Sequence, residues 1–359
     1  MRQFLYLIVC FTALSCSNDN SRFDAGLLVN KASIDSLKLV PIAYDTLKAG
    51  IGFQDLYLDY QALVLNNENL FVGLNNDGYS LDVFSLDSKE GIKIVNYEHE
   101  GPNGIVGNMD GFFFHNYDSI FILSMDANTI YLTNDQAEIV DKYSFTDQPL
   151  PDGFEDYDAY SDQGMQNGPY YVASNKTLQF YTYRWTPGDQ DDYDYLTFAS
   201  YSIEDRAFKS VYGIYPDNYR LGDDFLSFDD PNLMVIDTLS YVQFGGSKNI
   251  YCYNNATGEL LYVSDDHCEH WPEDDIKSLK SGMSDFQKET DWHATNPAYV
   301  FLIPNHKDKL LYRFMKNGQP LLDRSGLSTP RWTGPWCITI YDYDLQRLGH
   351  SELQKNAFL

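Results

Sequence analysis

The stretch from Glu100 to Phe145 limits the fold more than any other part of the chain. Four strand-length runs follow one another in it: Gly111 to Phe114, Ile120 to Ser124, Thr129 to Thr133 and Glu138 to Phe145. Each is rich in aromatic and β-branched residues and bounded by Asn, Asp or Gly, the punctuation of strands and tight links. Four antiparallel strands joined by such short links make one propeller blade. A lone blade leaves both faces uncovered, so the unit requires copies of itself stacked around an axis. The Gly101-Pro102-Asn103-Gly104 turn before it is suited to carry the chain inward to that axis.

Degenerate copies fill the rest of the chain. The first covers Leu63 to Leu65, Leu70 to Leu74, Leu81 to Leu86 and Ile92 to Tyr97. A third runs through Tyr170 to Ser174, Leu178 to Trp185, Tyr195 to Ile203 and Ala207 to Tyr215. The fourth is Leu233 to Asp237, Leu239 to Phe244, Ile250 to Tyr253 and Glu259 to Ser264. The fifth is Tyr299 to Ile303, Leu310 to Phe314, Cys337 to Tyr341 and Arg347 to Leu353. With 29 Tyr and 22 Phe, aromatic weight is loaded on strands rather than helices. The fold class expected is all-β, a propeller of four-stranded antiparallel blades.

Ahead of the blades, Met1 to Ser15 pairs Arg2 with an apolar run that is too short to span a bilayer and fits a signal peptide. Ala13-Leu14-Ser15-Cys16 resembles a bacterial lipobox, with Cys16 as the lipidated residue. By resemblance to lipoprotein sorting rules, Ser17 after that cysteine points to the outer membrane of a Gram-negative cell envelope. Residues 16–33 read as a polar tether and 34–359 as the propeller domain. Ile34 to Val40 is an isolated strand suited to closing the ring.

Gly101 to Ile105, the run Gly111 to Phe121, and Asp308 to Phe314 resemble an uncharacterised domain-of-unknown-function family of bacterial cell-envelope lipoproteins. The resemblance implies a six-bladed propeller similar to those built from NHL repeats. It implies no activity and no catalytic residues. Five blades are countable and the chain stops at Leu359, so a sixth blade is expected to be incomplete, with the segment near Leu353 short of sheet partners.

The formal charge of −27 repels phosphate backbones and anionic headgroups. Nucleic acid is therefore excluded as a partner, and contact with a membrane is expected only through the N-terminal lipid. With Cys10 in the leader and Cys16 lipidated, three cysteines remain, Cys252, Cys268 and Cys337, and an odd number cannot all pair internally. Cys252 and Cys337 lie in expected strands and read as small buried hydrophobes.

In a four-stranded meander, links between strands two and three and between blades emerge on one face of the ring. Nearly every long link belongs to that class, which nominates it as the functional face. It is acidic and aromatic: Asp152, Phe154, Glu155, Asp156, Tyr157, Asp158 and Trp185 form the candidate ligand surface, for an unidentified protein or a glycan. The plainer alternative is a set of solvated loops. Asp189, Asp191 and Asp194 are spaced to offer carboxylates to Ca2+, without the glycine-turned EF-hand pattern. Asp265, His267 and His270, around Cys268, gather transition-metal ligand types at no standard zinc spacing. Ile276, Leu279, Met283 and Phe286 recur at helical intervals after an acidic turn, which predicts one short helix packed on the ring.

No nucleophile motif and no phosphate-cradling glycine loop is present. The leading expectation is a lipid-anchored binding or scaffolding propeller that is not an enzyme. The alternative is a carbohydrate-active enzyme, a glycoside hydrolase or lyase, working through carboxylates on the same face; hydrolysis needs two carboxyls at a suitable separation.

Overall fold

The computed structural model describes residue 57 and residues 59–353, apart from stretches within 146–167, 183–195, 220–230, 265–285 and 323–333. Among the described residues, twenty strands form five antiparallel sheets of four, each in sequential order, arranged as a β-propeller. The first blade is β1 (Tyr60–Leu65), β2 (Glu68–Asn75), β3 (Ser80–Ser85) and β4 (Glu90–Asn96). The second is β5 (Gly111–Asn116), β6 (Ser119–Ser124), β7 (Thr129–Thr133) and β8 (Ile139–Ser144). The third is β9 (Tyr170–Val172), β10 (Thr177–Tyr181), β11 (Leu196–Ser202) and β12 (Ala207–Ile214). The fourth is β13 (Asn232–Ile236), β14 (Leu239–Gln243), β15 (Ile250–Asn254) and β16 (Leu260–Ser264). The fifth is β17 (Ala298–Asn305), β18 (Leu310–Lys316), β19 (Trp336–Asp342) and β20 (Arg347–Leu353).

Six blades, implied by the family resemblance, are corrected to five among the described residues. The fifth blade is not left short of strands: β20 pairs with β19 from Arg347 to Leu353, and Leu353 itself lies opposite Trp336. The proposed closing strand Ile34 to Val40, the tether and Cys16 lie outside the described residues.

First strands of consecutive blades approach one another, β1 to β5, β5 to β9, β9 to β13 and β13 to β17, which places them innermost. An innermost strand has a free backbone edge, and Gln61 shields one. Its Nε2 donates to Phe114 O at 3.1 Å and its Oε1 accepts from Phe114 N at 2.7 Å, so one side-chain amide replaces a ladder pair between blades. Apolar clusters fill the seams between successive blades, as with Leu70, Val72, Phe112 and Phe114 between the first and second. The abundant tyrosines suit these seams because the ring buries apolar area while the hydroxyl finds a polar partner. Tyr97 OH meets Thr133 Oγ1 at 3.1 Å, Tyr212 OH meets Ser240 Oγ at 2.9 Å, and Tyr241 OH donates to Tyr343 O at 2.5 Å, each crossing from one blade to the next.

Two backbone features recur in all five blades. The third and fourth strands always slip register once, leaving one extra residue on the outer strand: Ile92, Val140, Lys209, Leu261 and Leu348. The turn leading into each outer strand holds a left-handed residue: Lys89, Ala137, Arg206, Gly258 and Leu345. Four of these are not glycine, so the conformation repeats where the residue type does not.

The helix departs from expectation. Ile276 and Leu279 are not helical, and Ile276 is buried in a core cluster; α1 spans Phe286–Thr295 instead. Gly282 interrupts the predicted span, whereas Asp285 supplies a favoured capping residue type just before Phe286. The far end of α1 is held by β18 of blade five and the link that follows that strand: Lys316 Nζ donates to His293 O, and Gln319 N donates to Ala294 O at 2.9 Å. A buried cation against the last carbonyls is also the favourable polarity for a helix C-terminus.

Candidate functional site

Link lengths divide the two faces of the ring. On one, the links 66–67, 86–89, 117–118, 134–138, 173–176, 203–206, 237–238, 255–259, 306–309 and 343–346 are two to five residues long. On the other emerge the long links 97–110, 145–169, 182–195, 215–231, 265–297 and 317–335, together with the shorter 76–79, 125–128 and 244–249. Short hairpin turns satisfy their own backbone groups and close the sheet; longer links carry side chains that the sheet itself does not require.

Much of the surface nominated from the sequence falls outside the described residues: Asp152, Phe154, Glu155, Asp156, Tyr157, Asp158, Trp185, Asp189, Asp191, Asp194 and Asp265. His267 and His270 are described. His270 Nε2 lies 2.5 Å from Glu352 Oε1, and Glu269 Oε1 lies 3.9 Å from the half-buried His350 Nε2, so this link is tied to the outer strand β20 by two histidine–glutamate contacts. Cys268 is joined to Cys337 in a buried disulfide, which corrects the reading of Cys337 as a plain buried hydrophobe and removes Cys268 as a thiolate ligand. Among the described residues no group of three or more His, Cys, Asp or Glu side chains is arranged to hold a metal ion.

Two arrangements on this face were not foreseen. The first lies at the entry of the inner strands of blades one and two. Asp59, Gln61, Leu63 and Leu65 share one side of the first strand, and Asp110, Phe112 and Phe114 share one side of the fifth; both sides face the seam between these blades. Asp59 and Asp110 directly precede these strands, and at the long-link end of the seam they lie close enough for the charge of Asp110 to act on Asp59. Burial pushes the Asp59 carboxyl up to about 6, and the charge of Asp110 raises it further. Asp110 is anchored, its Oδ2 accepting from Met125 N at 2.7 Å. Tyr79 stands near Asp110, its one hydroxyl proton shared between Ile105 O at 2.9 Å and Gly107 O at 2.7 Å. Its phenol is pushed up to about 12, chiefly by burial, with Tyr131, Asp110 and Asp126 adding. The 97–110 link that wraps this group is shaped by the Gly101 to Gly104 turn, where Gly101 takes a φ of 95° and Gly104 N donates to Gly101 O at 3.1 Å.

The second arrangement is a buried stack between blades four and five. Arg313 is fully buried on the inward side of β18, between Leu311 and Met315. Its guanidinium lies 3.3 Å from the Tyr299 ring centre, and Trp271 stacks on Tyr299 at 4.8 Å. Arg313 Nε donates to Gln243 Oε1 at 2.9 Å, and its terminal nitrogens donate to the carbonyls of Lys248, Ser247 and Asn249 at 2.6, 3.1 and 3.2 Å. Carbonyl dipoles thus gather around a cation and set the shape of the 244–249 link. Tyr299 OH accepts from Cys268 N at 3.0 Å, which ties the stack to the disulfide. An arginine alternating with Leu311 and Met315 was a legible sign of this group. Nothing in the local sequence joins Asp59 to Asp110.

These features define a β-propeller whose polar side-chain groups sit on one face, with aromatic seams beneath. The chain belongs to the family described as a domain of unknown function, DUF4221, which matches residues 36–352. It is similar in structure to a member of that family from Bacteroides vulgatus, at 14% identity and a TM-score of 0.67, covering 88% of this chain and 86% of that one. It is also similar to a candidate exported protein from Bacteroides fragilis, at 11% identity and a TM-score of 0.54, covering 91% and 80%. No curated protein matches the sequence. Both structural likenesses bear on the fold alone.

Proposed function

We propose that this chain is an exported, lipid-anchored binding or scaffolding module of the Gram-negative cell envelope, engaging a protein or glycan through its long-link face. The division of link lengths between the two faces carries the reading, because only one face spends chain length beyond what the sheets need. Export is supported by the Cys268–Cys337 bond, which belongs to an oxidising compartment, and by the signal-like leader. Outer-membrane anchoring rests on Cys16 and is tested by Cys16→Ser, which should move the protein from the membrane fraction to the soluble one. The binding reading is tested by thermal-shift screening against glycans, peptides and divalent ions, since a ligand of the folded state raises its apparent stability. A ligand whose shift survives substitution of Asp156, Tyr157 and Trp185 to Ala, and of Asp59 to Asn, binds elsewhere and refutes this choice of face. A Ca2+ site at Asp189, Asp191 and Asp194 requires Ca2+ to stabilise the domain beyond ionic-strength-matched NaCl, an increment lost when all three become Asn.

The Asp59–Asp110 pair favours a second reading, glycoside hydrolysis. A carboxyl that stays protonated toward neutrality beside a second carboxyl is the division of labour that acid-assisted bond cleavage uses. Asp59→Asn would then abolish turnover of a bound glycan while leaving its binding intact; turnover equal to that of the parent rules the assignment out.

A further inference from the structure

The pattern of cysteines carries a consequence for how the chain acquires its disulfide. Cys252 lies in β15, free and fully buried, packed with Tyr241, Ile250 and Leu311 in the seam between blades four and five. Cys268 follows β16, and its bond to Cys337 in β19 closes a sequence separation of 69. Cys252 is only 16 residues from Cys268. In an unfolded chain the chance of closing a loop falls as the three-halves power of its length, so Cys252 meets Cys268 roughly nine times as often as Cys337 does. The shorter bridge also needs no residue beyond Cys268, so it is available before β19 has left the ribosome or the export channel.

The folded protein does not keep that bridge. Cys252 sits inside its seam, opposite Tyr262, while Cys268 is drawn to blade five by Cys337 and by the Tyr299 hydroxyl.

We propose that the native Cys268–Cys337 bond is reached by exchange from a Cys252–Cys268 bond, with Cys252 serving as a relay thiol that burial then retires. A disulfide-donating oxidase first takes two electrons and two protons from Cys252 and Cys268, joining their sulfurs and becoming a dithiol itself. The Cys337 thiolate next attacks Cys268 Sγ. The Cys268–Cys337 bond forms, the Cys252–Cys268 bond breaks, and Cys252 leaves as a thiolate that takes up a proton. This second step involves no net oxidation and is the reaction that thiol–disulfide isomerases accelerate. Seating Cys252 between blades four and five withdraws it from further exchange, and burial there pushes its thiol up to about 12. The chain is thereby a substrate for an oxidase followed by an isomerase rather than for an oxidase alone.

The test is to reduce and unfold the full chain, start oxidation in a glutathione buffer, block free thiols at successive times and map the bridged peptides. Counting only bonds among these three cysteines, Cys252–Cys268 should exceed Cys268–Cys337 roughly ninefold at the earliest times. It should then decay as the native bond grows. In a Cys252→Ala variant the native bond should appear with no earlier bridged species. Oxidation in denaturant gives the same early ratio independently of whether that variant folds. Cys268–Cys337 as the dominant bond from the first time point, in buffer and in denaturant alike, overturns the proposal.

Discussion

Replacing Asp59 by Asn should make the protein more stable near neutral pH and leave it unchanged in acid. The folded-state acid titrates at about 6 rather than 3.8, chiefly because it is buried and secondarily because Asp110 is near. Between these two values the folded chain binds more protons than the unfolded one, so stability falls as pH rises. Whatever a neutral Asp59 contributes is fully present below about pH 4 and lost as pH rises through about pH 6. At about 1.4 kcal/mol per unit, the full gap corresponds to roughly 3 kcal/mol. Residual contact with solvent screens part of it, leaving about 1–2 kcal/mol. The amide keeps the shape of the neutral acid and never ionises, so urea unfolding of Asp59→Asn at about pH 7.5 should show that gain through a higher midpoint at an unchanged slope. At about pH 4 the two proteins should coincide. The same offset at both pH values would place the effect in packing, and no offset at about pH 7.5 would mean that Asp59 is solvated like any surface acid.

Loss of the Cys268–Cys337 bond by a double change to Ser releases a loop of 69 residues and should cost about 4 kcal/mol, read from the denaturant midpoint under oxidising conditions; an unmoved midpoint refutes the staple. Gly73→Ala would put a Cβ 2.2 Å from the Tyr57 ring, which is also held by a hydrogen bond to Asp82, so a loss of about 1–3 kcal/mol is expected from overpacking, checked by thermal unfolding. Lys89→Gly should gain about 0.5–1 kcal/mol, since relief of a left-handed φ of 62° outweighs the added freedom of the unfolded chain; a loss on urea unfolding would show that the lysine side chain matters more than its backbone.

The twenty strands among the described residues were legible because sheets packed between blades demand β-branched and aromatic residues between turn-forming ones, as Leu81-Asp82-Val83-Phe84 and Ile338-Thr339-Ile340-Tyr341, buried on both faces, illustrate. Their ends were less so. The second strand was expected over Leu70 to Leu74 and runs from Glu68 to Asn75, because ladder hydrogen bonds continue past the apolar run that advertises them. The family resemblance implies six blades, whereas the residues offer five strand-rich copies and the described residues form five. The odd cysteine count left every pairing open, and the choice between Cys252 and Cys337 as partner for Cys268 is made by how blades four and five pack. Asp59 and Asp110 are 51 positions apart, about one blade repeat, and meet only when blades one and two stack; no local pattern announces such a pair. Arg313 was more accessible, since a charge on the inward side of an apolar strand demands an explanation from the sequence itself.

The single extra residue on every outer strand also bears on how this protein behaves in a crowded compartment. The five outermost strands among the described residues leave five rows of backbone donors and acceptors turned toward solvent, each a template for another chain to lengthen the sheet. At Ile92 and Val140, the extra residue is also an apolar side chain 45% and 60% exposed, a combination that would ordinarily invite fibrous association. The slipped register breaks the even spacing of those rows and twists the rim, so a foreign strand finds no uninterrupted ladder to extend. Polymerisation is thereby resisted in the backbone of each blade, independently of the −27 charge that keeps whole molecules apart. The protection would persist in acid or high salt, where charge repulsion fails.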